Sequence, residues 1–134
     1  MKHNAMCAVL MLALTGGFAA AGDIPCKPDG NQHELNQCAL DAYTASDKKL
    51  NTTWKALLKK YKNAESLKVS QRAWIVFRDA EVAAMFACED NDMSLCWGSM
   101  YPMLYHYALQ DLTDERTKRL QRYLDEGLNP AVGE

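Results

Sequence analysis

The stretch LDAYTASDKKLNTTWKALLKKY, residues 40–61, decides the fold. Its apolar residues Leu40, Tyr43, Leu50, Trp54, Leu57 and Tyr61 recur in steps of three and four, the spacing that gathers one stripe along an α-helix. One step is missing. Asp47 stands where the series 43, 47, 50, 54, 57, 61 requires an apolar side chain. A carboxylate on such a stripe needs a partner, because burying an unpaired charge is costly.

Downstream, a polar turn at Lys62-Asn63 leads into a segment from about Ala64 to Ala87 that contains no Gly or Pro and is rich in Ala, Leu, Gln, Arg and Glu. High helix propensity and periodic Leu67, Trp74, Phe77 and Met85 predict a second helix. Glu89-Asp90-Asn91-Asp92 breaks the pattern and predicts an acidic surface loop between Cys88 and Cys96. A third periodicity runs through Tyr101, Leu104, Tyr105, Ala108, Leu109 and Leu112. Thr113 is either a helix N-cap or a mild kink in one long helix. The stripe resumes at Leu120, Tyr123 and Leu124 and stops at Gly127, a suitable residue just past a helix end. No strand alternation of useful length is present. The expected fold is all-α, a small antiparallel bundle of three to four helices braced by two disulfides.

The second helix carries Gln71, Trp74 and Arg78 on one face, and the polar members of that face need partners. Antiparallel helices joined by a short turn place their stripes together, which predicts an Asp47–Arg78 pair with Asn51 and Gln71 satisfying leftover donors and acceptors. Arg116 continues the stripe of the last helix and reads as a snorkelling or paired residue. Catalysis requires a nucleophile, a tuned base or a metal beside such a pair. His3, His33 and His106 form no metal spacing, and no phosphate loop, His-Glu-x-x-His or Gly-x-Ser-x-Gly motif occurs. The network therefore reads as structural, with no enzyme activity and no cofactor expected.

At the N-terminus a basic start at Lys2, a short apolar run from Ala5 to Leu14 and small residues up to Ala21 read as a secretory leader. The run is too short to span a bilayer, so residues 1–21 are expected to be cleaved before Gly22 and residues 22–134 to form one domain without a membrane anchor. The arm that follows, with Pro25, Pro28 and Gly30, is expected to be irregular. Of the 15 Lys and Arg the leader removes one, leaving 14 against 17 Asp and Glu. This mildly acidic balance lacks the basic stripe of a nucleic-acid binder. The leader also removes Cys7. Cys26, Cys38, Cys88 and Cys96 remain, an even set that in an oxidising compartment predicts two disulfides with three possible pairings. Periplasmic localisation follows from the same reading. Glu89, Asp90, Asp92 and Trp97 are the candidates for contact with a protein partner.

Ala45-Ser46-Asp47-Lys48-Lys49-Leu50-Asn51, Gln71-Arg72-Ala73-Trp74-Ile75-Val76-Phe77-Arg78-Asp79-Ala80-Glu81 and Leu112-Thr113-Asp114-Glu115-Arg116-Thr117, in this order and behind a Cys-containing arm, resemble the LprI-like lysozyme-inhibitor family. The resemblance spans about Cys26 to Leu124. It implies a small exported helical protein that binds a protein partner, with a basic lysozyme-type hydrolase as the first expectation. An immunity or assembly-type module for a dedicated envelope protein is the alternative. Family members usually carry Cys where Val82 and Ala108 stand here. The joint loss of these two implies that the remaining cysteines pair locally, Cys26 with Cys38 and Cys88 with Cys96.

Overall fold

The computed structural model describes residues 26–129. The predicted leader, residues 1–21, lies outside them. Helix α1 spans Gln32–Lys60, α2 Glu65–Met85, the short α3 Met93–Trp97, and α4 Tyr101–Asp125, with a single 3₁₀ turn Gly98–Met100 before α4. The described residues contain no strand.

Local chemistry sets the ends of these helices. Asn31 opens α1 with a capping box: its side chain accepts from the Glu34 amide at 3.1 Å, and the Glu34 carboxylate accepts from the Asn31 amide at 2.8 Å. Asp92 caps α3 through the Ser94 amide at 2.9 Å. At the far end of α4, Gly127 takes φ 98, the left-handed conformation that lets the chain leave a helix without a Cβ clash. Gly98 turns the chain from α3 toward α4 with φ 63 and ψ −158, a region open almost only to glycine. Thr113 does not start a helix; it lies inside α4, one long helix from Tyr101 to Asp125.

The helix order is up, down, up. Asn36 donates to the Ser99 carbonyl, Lys60 Nζ to the Leu124 carbonyl and Tyr61 Oη to the Tyr123 carbonyl, pairs separated by 63, 64 and 62 residues. A constant separation means that α1 and α4 run parallel. Arg116 meets Ser70 and Gln71, while Phe86 meets Tyr101. In those contacts the residue number falls on one helix as it rises on the other, so α2 is antiparallel to α4.

The closest pairing is α1 with α4, not the α1–α2 hairpin that the short connecting turn suggests. Small side chains allow it. Ala39, Ser46 and Thr53 repeat every seven residues on α1, and Thr113 and Thr117 lie on α4; all five are buried. The Thr117 hydroxyl donates back to the Thr113 carbonyl at 2.8 Å, satisfying itself inside its own helix. Around this seam the core divides in two. Leu50, Leu57, Leu67 and Leu120 pack with Trp54, Tyr61 and Trp74 near the α1–α2 turn. Val82, Phe86 and Leu109 pack with Tyr43, Tyr101 and Tyr105 at the opposite end. Val82 is fully buried there and Ala108 packs against the same cluster, so both positions are filled by apolar contact.

Two disulfides, Cys26–Cys38 and Cys88–Cys96, close local loops at this second end. The first ties the arm to α1. The second joins the loop after α2 to α3.

Candidate protein-binding site

The polar residues on the apolar faces divide between two partners. Gln71 is buried, and its carbonyl accepts from Arg116 Nε at 2.9 Å; a second Arg116 nitrogen donates to Ser70 Oγ at 3.3 Å. Arg78 is 12% exposed and binds the neighbouring Asp79 carboxylate at 2.8 Å, while Asp47, 41% exposed, stands 4.0 Å away. Asn51 donates to Asp47 at 2.9 Å. Gln71 therefore serves Arg116 and not the expected Asp47–Arg78 pair, because α2 packs more closely on α4 than on α1.

Trp74 joins the two groups. The Arg78 guanidinium lies 5.3 Å and that of Arg116 5.7 Å from the centre of its ring, within cation–π range. Burial pulls the Arg116 pKa below its ordinary value, with neighbouring Arg119 adding to the effect, although an arginine stays charged at any physiological pH. Among the described residues no carboxylate forms an ion pair with Arg116. These contacts clasp α2 to α4 with hydrogen bonds and an indole. They bring no nucleophile or base together.

Of the surface clefts along α4, two are more spacious than the one at its C-terminal end. One, of about 200 Å³, is lined by Trp74, Phe77, Leu112, Glu115, Arg116, Arg119 and Tyr123. The other, of about 380 Å³, is lined by Lys49, Asp114, Thr117, Lys118 and Gln121. Neither pairs two carboxylates.

The partner-contact candidates sit together on the stapled end. Glu89, Asp90 and Asp92 are exposed in the loop closed by Cys88–Cys96. They are not equivalent. Asp92 is committed to Ser94, whose hydroxyl and amide it accepts at 2.6 and 2.9 Å, and these bonds hold its pKa below the usual carboxylate value. Glu89 and Asp90 form no side-chain bond among the described residues. Trp97 packs edge-on against Phe86 at 5.2 Å yet stays partly exposed, and Leu95 beside it is 71% exposed. The tip thus combines free carboxylates with an apolar knob.

The tip belongs to a larger electrostatic feature. Cut across its middle, the bundle separates residues 26–47 and 79–112 from residues 48–78 and 113–129. The first half holds one Lys and ten Asp or Glu, a net of −9; the second holds thirteen Lys or Arg and five Asp or Glu, a net of +8. Up-down-up topology creates this polarity, because the acidic first part of α1 and the acidic end of α2 with its following loop meet at one end, where α4 adds only Asp111. A whole-chain net charge near zero conceals two strongly charged poles.

Helices closed by two local disulfides make this a small, disulfide-braced all-α domain. The chain belongs to the LprI family: the model of "Lysozyme inhibitor LprI" matches residues 25–120. A Rhizobium meliloti (strain 1021) protein described as "Uncharacterized protein R02472" is 32% identical over 145 aligned positions, which cover 96% of this chain and 100% of that one. No solved structure matches. The two disulfides and the family mark an exported protein. No helix of the described residues is long and apolar enough to cross a membrane.

Proposed function

We propose that this chain inhibits lysozyme or another peptidoglycan hydrolase in the periplasm, after cleavage of a leader before Gly22, and that it engages the enzyme through its acidic end. The observation that carries the reading is the family match across 25–120, which includes both disulfides. The acidic end supplies a physical route. A basic hydrolase is drawn toward the −9 half of the bundle, and complementary fields raise the encounter rate more than they deepen affinity. Glu89 and Asp90 meet the partner's bases, while Leu95 and Trp97 provide the apolar centre that carries binding energy in most interfaces.

The test is a titration of lysozymes of several classes with the purified, oxidised chain, following hydrolysis of cell-wall substrate at low and high salt. Stoichiometric inhibition of at least one basic class is expected. Absence of inhibition at large excess against every class rejects the reading.

A further inference from the structure

The second helix has two apolar faces, and only one is used. Leu67, Gln71, Trp74, Arg78 and Val82 turn one side of α2 toward the rest of the bundle. On the opposite side Val69, Ala73, Val76, Ala80 and Ala84 recur at steps of three and four, with Phe77 at the edge toward the α4 cleft, and all are exposed. Val76 is 70%, Phe77 52% and Val69 51% exposed. A helix apolar on both sides is ordinarily covered on both sides. Between Val69 and Ala84 this outer face carries no charge.

We infer that the outer face of α2 packs against the same face of a second copy, with the two α2 helices antiparallel about a two-fold axis. Three observations choose this occupant. The stripe is apolar, with small alanines that permit close approach. Its charged flank is self-complementary. Arg72 and Asp79 lie two turns apart on the same edge of the stripe; within the chain Arg72 reaches Glu65 at 3.5 Å and Asp79 binds Arg78 at 2.8 Å, yet both stay exposed, at 65% and 57% of their side chains, and can be shared with a partner. In antiparallel packing that sets Ala73 against the partner's Val76 and Val69 against the partner's Ala80, each Arg72 faces an Asp79 across the axis. Sliding by two turns in either direction sets Arg72 on Arg72 or Asp79 on Asp79, so the flank selects one register.

The third observation is the polarity of the whole bundle. Helix α2 runs from the basic end to the acidic end, so antiparallel pairing places the −9 half of one copy beside the +8 half of the other, whereas parallel pairing sets like poles together. A two-fold pairing closes on itself and covers the stripe on both copies. The α3 tip lies at the end of the bundle, away from this stripe, and the dimer does not depend on the proposed inhibition.

Sedimentation velocity of the oxidised chain over a concentration series tests the pairing. The expected result is a monomer–dimer equilibrium, with Val76→Glu monomeric and unchanged in helical circular dichroism. Charge reversal gives the second, register-specific measurement. Arg72→Glu and Asp79→Lys each weaken dimerisation by about tenfold, and the double reversal restores most of the loss, because exposed pairs contribute little singly but like charges in both symmetric positions add. A chain monomeric at every concentration, a dimer indifferent to Val76→Glu, or reversals that show no mutual rescue would each overturn the inference.

Discussion

The two ends of the bundle are built by different means. Near the α1–α2 turn, four buried leucines with Trp54, Tyr61 and Trp74 hold three long helices together, and the surface is basic. At the other end the helices give way to a loop, a five-residue helix and a 3₁₀ turn. Aromatic edges and two disulfides add to a smaller aliphatic core of Val82 and Leu109 there, and the surface is acidic. Irregular backbone buries little apolar area, so covalent staples offset what packing does not supply. The difference separates a folding end from the end proposed for recognition.

That contrast can be broken most forcefully in the leucine core. Leu57 is fully buried, and Leu57→Ala is expected to cost about 3–4 kcal/mol by denaturant titration, through lost transfer energy and the cavity left behind. A cost below 1 kcal/mol would mean that this end is not the stability centre. Opening the Cys88–Cys96 staple as a paired Ser variant is expected to cost about 2–3 kcal/mol, the loop entropy of a short closure. Hydrogen exchange should then show residues 86–100 losing protection while 50–60 and 113–125 keep theirs.

The polar clasp sharpens the comparison on a finer scale. Gln71→Ala removes the buried acceptor of Arg116 and is expected to cost about 1–3 kcal/mol. Asp47→Ala is expected to cost less than about 1 kcal/mol, because Asp47 is half-exposed and Arg78 keeps its closer carboxylate at Asp79. Melting curves in which Asp47→Ala exceeds Gln71→Ala would reverse this assignment. The smallest effect is alkaline. Burial raises the Tyr43 pKa above its ordinary 10.0, so the folded state holds the phenolic proton more tightly than the unfolded chain. Its contribution is complete below pH 10 and declines as pH rises through the folded value. Tyr43→Phe should flatten that part of the stability profile.

Much of this was legible in the residues. The three-and-four steps from Leu40 to Tyr61 mark α1, the Gly- and Pro-free run marks α2, and Gly127 marks the end of α4. The α1–α4 seam was not. Ser46, Thr53, Thr113 and Thr117 look like surface residues in a one-dimensional pattern, yet their small volume is what lets two parallel helices approach. The heptad repeat of Ala39, Ser46 and Thr53 was the available signal. The charge poles are hidden in the composition because the total nearly cancels. Their trace is two neighbouring blocks: residues 48–78 hold nine bases and one acid, and residues 79–112 hold six acids and no base. Only the helix order shows that such blocks meet at opposite ends.

The acidic end as recognition surface is tested most directly by association kinetics with a basic lysozyme, comparing the natural chain with a Glu89→Lys, Asp90→Lys variant across salt. The expected result is association slower by about tenfold or more at low ionic strength for the variant, with the two rates converging at high salt. Equal rates at low salt, with inhibition intact in the variant, would contradict it.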